Sequence, residues 1–207
     1  MGKRIGVGYK MAKQLWKPST ILNPVPVVMV TCAGSDGKPN IITLAWAGTI
    51  NSDPPMISIS VRKERYSHKL IKESGQFVVN LTTRKLAFAA DFCGVKSGRD
   101  IDKFEAMKLT PEKASSIDVP LIRESPVNIE CTVKDIIELG SHDMFISRIM
   151  AVNVEESLLD GKGKLRLDKA DLICYSHGEY WSLERSLGYF GYSVTKRKEV
   201  LERRKKR

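Results

Sequence analysis

The stretch Met56-Ile-Ser-Ile-Ser-Val61 decides the fold class, because its large apolar residues alternate with serine. A period of two places successive side chains on opposite faces, which is the pattern of a half-buried β-strand. Upstream, residues 25–33 are apolar and rich in β-branched side chains, and the turn sequence Gly34-Ser-Asp-Gly37 follows them. These segments predict short antiparallel strands joined by turns.

The rest of the chain continues this pattern. We expect strands at 41–46, 49–51 and 77–81, long strands at 129–139 and 144–154, and a hairpin formed by 172–175 and 180–183. Two short helices are expected, at 65–74, where Gly75 ends the helix, and at 83–92. The alternating helices of about ten or more residues that a doubly wound sheet requires are missing. The sequence therefore predicts an all-β barrel or sandwich.

The formal charge of +10 is concentrated at the two ends of the chain. Residues 1–17 contain five Lys or Arg and no acid, and residues 196–207 contain eight Lys or Arg and two Glu. The body between them, 18–195, holds 21 basic and 22 acidic residues. Because a nucleic-acid-binding domain carries its basic residues on the folded surface, we do not expect nucleic acid as a partner. We predict one domain, 18–195, flanked by a basic N-terminal segment and a basic C-terminal tail.

Several kinds of site and location are not expected. No apolar run approaches the ~18 residues of a membrane span, and the N-terminus lacks the apolar core of a secretory signal, so we expect a cytoplasmic protein. The four cysteines are scattered and form no CxxC pair, which predicts neither a metal site nor a disulfide framework. Cys93 is the one thiol that we expect to be accessible. No nucleophile or nucleotide-loop motif is present.

The segment Arg62-Lys-Glu-Arg-Tyr-Ser-His68 lies where a predicted strand passes into a predicted helix. Amides at a helix N-terminus, the Ser67 hydroxyl and the charge of Arg62 or Arg65 are the groups that a phosphate requires. The same residues also suit a simple helix cap with solvated arginines. This segment alone leaves both interpretations open.

Taken together, several segments resemble the flavoredoxin branch of the flavin reductase-like proteins. They are Asn23-Pro-Val-Pro26, Asn40-Ile-Ile-Thr-Leu-Ala-Trp46, Asn51-Ser-Asp-Pro-Pro55, Arg65-Tyr-Ser-His68, Glu73-Ser-Gly-Gln-Phe-Val-Val-Asn80, Cys93-Gly94, Ser97-Gly-Arg-Asp-Ile-Asp-Lys-Phe104 and His142-Asp-Met-Phe145. They occur in family order over residues 21–195. The resemblance implies an antiparallel, six-stranded Greek-key split β-barrel with a few short peripheral helices. It also implies a homodimer that binds FMN near the subunit interface.

The resemblance further implies a set of site residues. The ring contacts are Asn40, Thr43, Ala45, Trp46 and Asn51, the phosphate contacts are Arg62, Arg65, Ser67 and His68, and Tyr175 is an aromatic neighbour. Lys103 and His142 are implied to approach the ring and to act as the catalytic groups. Reduction of a flavin builds negative charge at one edge of the ring, which a cation or an imidazole stabilises.

The function implied is that of an FMN-dependent oxidoreductase or electron-transfer flavoprotein. Either NADH or NADPH supplies electrons for reduction of a flavin or a metal chelate, or another redox protein is the donor. The sequence does not decide between these electron donors, because the family binds nicotinamide cofactors without a fingerprint motif. The alternative is a non-enzymatic flavin-binding or regulatory protein whose basic tail contacts nucleic acid. A split barrel of the pyridoxine-phosphate oxidase type fits the order of the motifs less well.

Overall fold

The computed structural model of the protein describes residues 13–195. The predicted tail 196–207 and most of the basic segment 1–17 lie outside the described residues. Within 13–195 the strands are β1 Val25–Pro26, β2 Val28–Ala33, β3 Pro39–Leu44, β4 Ala47–Asn51, β5 Met56–Arg62, β6 Gln76–Leu81, β7 Pro111–Glu112, β8 Leu121–Ile122, β9 Val127–Glu138, β10 His142–Val154, β11 Ile173–Ser176 and β12 Glu179–Ser182. The helices are α1 Tyr66–Ser74, α2 Ala87–Val95 and α3 Lys103–Ala106, with 3₁₀ turns at Arg84–Leu86, Glu156–Leu158 and Leu167–Lys169. The all-β prediction with a few short helices is confirmed.

The main sheet of the described chain has seven strands in the order β3-β2-β6-β9-β10-β5-β4, and all its pairings are antiparallel. Two pairings, β2 with β6 and β5 with β10, join strands far apart in sequence, as Greek-key connections do. Six strands were expected. That number came from the resemblance, and the main sheet has seven strands; the separate strands predicted at 41–46 and 49–51 are present as β3 and β4, which Ala45 and Trp46 divide.

The two edges of this sheet meet. Strands β3 and β4 lie at opposite edges, yet only Ala45 and Trp46 separate them in the chain. The sheet must therefore curl until its edges approach each other at this link, as sheet twist allows. The amide of Ser60 on β5 donates to the carbonyl of Trp46 at 2.9 Å, which fixes the link against the sheet. We call this place the seam.

The apolar core lies on the inner face of the curled sheet. Phe77 on β6 and Phe145 on β10 are fully buried there, and Leu70 and Ile71 of α1 pack against the same cluster. Helix α1 ends as predicted at Gly75, whose φ of 66° is the left-handed conformation that glycine adopts most readily. The core thus holds the N-terminal end of α1 close to the start of β10.

A second apolar cluster lies beneath α2. Met29 and Ile41 of the sheet pack there against Leu86, Ala90 and Cys93. The helix continues through Gly94 to Val95, slightly beyond the predicted end. The expectation of an accessible Cys93 thiol is wrong, because α2 turns this side chain into the cluster, and burial raises its pKa to about 11. Within the described residues, no helix has the length and apolarity that a membrane crossing demands.

Candidate functional site

A recess opens at the seam and consists of two adjoining cavities. The larger cavity, of about 360 Å³, has its floor on β3 and the two-residue link, and its walls on β5, α2, β10 and the β11–β12 hairpin. The smaller cavity, of about 170 Å³, lies between the start of α1 and residues 96–99. Ile42 and Arg65 line both cavities. One elongated ligand can therefore occupy the two together.

Trp46 and His142 form one side of the larger cavity. Their ring centroids lie 4.5 Å apart at an interplanar angle of 47°. His142 faces Arg62 across the β5–β10 pairing, and its Nδ1 lies 2.9 Å from the Ser141 hydroxyl. Burial, and then the charge of Arg62, lower the pKa of His142. The imidazole is thereby kept neutral near physiological pH while a permanent cation stands beside it.

The β11–β12 hairpin forms the opposite side. Tyr175 and Tyr180 are cross-strand partners with ring centroids 5.8 Å apart, and the Tyr180 hydroxyl donates to Oδ1 of Asp91 on α2 at 3.1 Å. Burial and the neighbouring Asp91 carboxylate raise the pKa of Tyr180 to about 12. The sequence prediction included Tyr175 and missed both Tyr180 and Asp91. The predicted hairpin contained the signal for Tyr180, because its turn pairs residues 175 and 180.

Small side chains keep the floor of the larger cavity close to α2. The Thr43 hydroxyl donates to the carbonyl of Ala90, and a Cβ on Gly94 would lie 3.3 Å from that of Thr43. Ala45 follows on the same floor. Thr43 and Ala45 were predicted here, and the glycine explains how the helix approaches the strand so closely.

The smaller cavity is built around the first turn of α1. The Asn40 side-chain amide donates to Oγ of Ser67 at 2.8 Å, and Gly98 lies so close that a Cβ there would be 2.0 Å from Oδ1 of Asn40. In the described chain no side chain caps α1, and its first turn contains no acid. The first amides of a helix have no intrahelical acceptor and carry its positive dipole end. This end of the recess is therefore suited to bind an anion.

Cations surround the smaller cavity. Its lining includes Arg65, Lys96, Arg99 and Lys103, and Glu64 is the one acid among the described residues that line it. The Arg99 guanidinium stands 5.4 Å from the centroid of the Tyr66 ring and donates to the carbonyl of Glu64 at 3.4 Å. The charge and the outward amides together suit a phosphate group. Sequence reasoning missed Arg99, although it lies within the segment 97–104 that carried part of the resemblance.

Lys103 requires a correction. The sequence predicted it beside His142 at the ring, but the structure places it in the smaller cavity. Its Nζ donates to the carbonyl oxygens of Ile41 and Cys93, the latter at 2.8 Å, and burial lowers its pKa. An ammonium has three donors, so one N–H remains for a ligand in the smaller cavity.

Two other predicted contacts lie outside the recess. Asn51 is exposed at the end of β4, where its side chain donates to the carbonyl of Pro54 at 2.7 Å. His68 is buried, and its Nε2 lies 2.8 Å from Oδ2 of Asp143. Because successive helical residues point about 100° apart, Ser67 faces the smaller cavity while His68 faces the core. The structure brings together the remaining predicted residues, which are Asn40, Thr43, Ala45, Trp46, Arg62, Arg65, Ser67, Lys103, His142 and Tyr175.

This recess, set between the edges of a curled antiparallel sheet, can be compared with known proteins. Residues 22–183 match the family described as the flavin reductase like domain. The chain belongs to the flavin reductase-like family. Its fold is the split barrel of that family, and the predicted resemblance to the flavoredoxin branch is confirmed.

Solved flavoredoxins are similar over most of the chain. The flavoredoxin of Desulfovibrio vulgaris (Miyazaki F) is 33% identical with a TM-score of 0.83, and the match covers 89% of this chain and 100% of that one. The flavoredoxin from Methanosarcina acetivorans is 27% identical with a TM-score of 0.79 and the same coverage of 89% and 100%. An uncharacterized protein of Archaeoglobus fulgidus is 34% identical over 125 residues, which are 60% of this chain and 71% of that protein.

Proposed function

We propose that this chain is an FMN-binding oxidoreductase that transfers electrons through the recess at the seam. The continuity of the two cavities carries the proposal, since an aromatic slot of about 360 Å³ opens into a cationic pocket of about 170 Å³. FMN has the same two parts, a planar ring system and a phosphate joined by a short polyol chain. Cofactor sites are typically apolar slots with a few directed polar groups, and this recess fits that description. Membership of a flavin reductase-like family supports the same cofactor.

We assign the phosphate to the smaller cavity. Ser67 Oγ already accepts from Asn40, which leaves its O–H to donate to a ligand. Arg65 and Arg99 supply positive charge, and the buried Lys103 ammonium supplies a further positive charge and one remaining N–H. Charge-assisted hydrogen bonds of this kind are about twice as strong as neutral ones. The phosphate end therefore provides much of the affinity and fixes the orientation.

We assign the ring to the larger cavity, between Trp46 and the pair Tyr175 and Tyr180. When bound there, a flavin supplies reversible one- and two-electron transfer. His142 and Arg62 lie side by side on this cavity, where they can stabilise negative charge on a reduced ring. Because Lys103 lies at the other end of the recess, we propose His142, assisted by Arg62, as the catalytic group.

The names of the two similar flavoredoxins favour a role in electron transfer. The donor that we propose is NADH, NADPH or a redox protein. The decisive experiment is the visible spectrum of the purified protein during titration with FMN and then, without oxygen, with each nicotinamide. Stoichiometric FMN uptake followed by bleaching identifies an NAD(P)H-dependent reductase. Bleaching by dithionite alone excludes both nicotinamides and leaves a redox protein as the donor to test, and a protein with no affinity for FMN contradicts the proposal.

We also propose a homodimer, as the family resemblance implies. Exposed apolar side chains near the C-terminal end of the described chain, Leu183, Phe190 and Val194, support an association surface. Light scattering on the FMN-loaded protein at micromolar concentration measures the mass. A monomer under those conditions contradicts this part of the proposal.

A further inference from the structure

A third cavity, which we call the outer cavity, adjoins the larger one on the side away from the phosphate end. It has a volume of about 690 Å³ and is bounded by residues 16–17 and 19–23, which belong to what we call the N-terminal arm, and by Val25, Trp46, Tyr175 and the turn at His177 and Gly178. Trp46 and Tyr175 line both this cavity and the larger one. A molecule in the outer cavity would therefore lie one side chain away from the occupant of the larger cavity.

Four of the residues that line the outer cavity have aromatic side chains. They are Trp16, Trp46, Tyr175 and His177. Trp16 is 72% exposed and Trp46 is 45% exposed, so the packing of the chain leaves much of their aromatic surface uncovered. Aromatic faces attract other planar rings in stacked or edge-to-face geometry. The walls favour a planar aromatic ligand.

The polar lining favours a negative charge on that ligand. Lys17 lies on the cavity, together with Ser19, Thr20 and Asn23, and the described residues that line it include no Asp or Glu. The His177 amide donates to Oδ1 of Asn23 at 3.2 Å, which ties the turn to the N-terminal arm and keeps both walls in place. Lys17 is the one formally charged side chain among the described residues of this lining, so the cavity favours a ligand of the opposite sign.

We propose that the outer cavity binds a planar aromatic anion, which is the small-molecule reaction partner of the recess. Its role as a reaction partner rests on the proposed flavin function, whereas the binding itself rests on the cavity alone. Trp46 and Tyr175 form the common wall, so they position this ligand directly beside the site of electron transfer. The cavity thus gives the protein a selectivity for aromatic anions that the phosphate end does not supply.

Isothermal titration calorimetry of FMN-loaded protein tests the proposal with 2-naphthoate as the probe. The neutral isostere 2-naphthamide tests the charge, and cyclohexanecarboxylate tests the ring. We expect 2-naphthoate to bind at one site per chain and each control ligand to bind several-fold more weakly. Trp16→Ala should lower the affinity for 2-naphthoate by about three- to tenfold, because stacking is lost. Lys17→Met should lower the affinity for 2-naphthoate and leave the affinity for 2-naphthamide unchanged. Matched controls are Trp181→Ala and Lys13→Met, which change described residues outside all three cavities and should leave the affinity unaltered.

The outcomes separate this inference from the proposed function. The inference alone is overturned if a protein with a normal FMN spectrum does not bind 2-naphthoate. It is also overturned if the affinity for 2-naphthoate is the same in the wild type, Trp16→Ala and Lys17→Met. A protein that takes up no FMN but binds 2-naphthoate through Trp16 overturns the proposed function alone. A dimer that dissociates in Trp16→Ala assigns the outer cavity to a second copy of the chain and overturns the small-molecule site.

Discussion

Nε2 of His68 lies 2.8 Å from Oδ2 of Asp143, and both side chains are buried. His68 follows Ser67 in the first turn of α1, and Asp143 follows His142 at the start of β10. The pair thus connects the element that forms the phosphate end of the recess with the strand that carries the imidazole of the ring end. It fixes the distance between two groups that, as we propose, contact the same cofactor.

Removing one partner of this pair should destabilise the protein. We expect Asp143→Ala to lower the free energy of unfolding by about 3 kcal/mol, because a buried polar group loses its partner. Urea denaturation measures the change. Asp36→Asn changes an exposed turn residue and serves as the control, and an equal effect of the two substitutions would contradict the role of the pair.

The same pair predicts a dependence of stability on pH. Burial alone would raise the pKa of Asp143, but hydrogen bonds from His68 and Lys63 outweigh it and hold the pKa below its usual value. A lowered pKa in the folded state contributes stability that is complete above the ordinary aspartate pKa and is lost as the pH falls through the folded value. We expect this acid loss of stability in the wild type and a smaller one in Asp143→Asn, measured by urea denaturation at a series of acid pH values.

The phosphate assignment predicts a selective loss of affinity. Arg65→Ala should lower the affinity for FMN about 10- to 100-fold, because a charge-assisted hydrogen bond contributes about 1.5–3 kcal/mol to binding. Riboflavin has the same ring without the phosphate, so its affinity should hardly change. Fluorescence titration measures both ligands, and Lys69→Ala on the exposed side of α1 is the matched control. An equal loss of affinity for FMN and for riboflavin would contradict the assignment of the phosphate to this cavity.

Gly98 should be essential for the same end of the recess. A Cβ at this position would lie 2.0 Å from Oδ1 of Asn40, so Gly98→Ala must displace the amide that holds Ser67. We expect a cost of about 1–3 kcal/mol from overpacking, together with a greater loss of FMN affinity than of riboflavin affinity. Gly161→Ala, where a Cβ would meet no atom within 4 Å, should leave stability and both affinities unchanged. Normal FMN binding by the Gly98→Ala variant would refute the proposed arrangement.

His142 should make the reduction potential of bound FMN depend on pH. Its pKa is lowered, so the imidazolium forms only as the pH falls through a value below the ordinary one of about 6.5. The new cation beside the ring should then raise the potential. Dye-equilibrated redox titrations from about pH 5 to 8 measure the effect. His142→Gln should remove this inflection and leave FMN affinity nearly constant, and an unchanged profile would exclude His142 from the ring site.

The parts of the fold that short patterns control could be predicted from the sequence. The alternation in 56–61 identified β5, and Gly75 marked the end of α1. The separate strands predicted at 41–46 and 49–51 correspond to β3 and β4, but their position at opposite edges of one sheet could not be predicted, because it depends on how the sheet closes. Local sequence patterns determine individual strands and helices, whereas the meeting of the two sheet edges depends on the whole assembled sheet.

The site was predictable where its residues lie within one segment. Arg65 and Ser67 belong to a single strand-to-helix junction, and both reach the recess. Lys103 was misplaced, because its position depends on the carbonyl of Ile41, which lies 62 residues earlier. His68 was misassigned for the same reason, since its partner Asp143 is 75 residues away. No local pattern reports such distant partners.

The two-residue link at the seam makes formation of the binding recess and closure of the sheet one event. The larger cavity takes its floor from β3 and from this link, so the cavity is complete only when the two edges of the sheet are together. A ligand of the larger cavity consequently stabilises only the closed sheet, by mass action, and slows its opening rather than hastening early steps of folding. The cofactor that we propose would therefore hold the two edges of the sheet together as well as serve electron transfer.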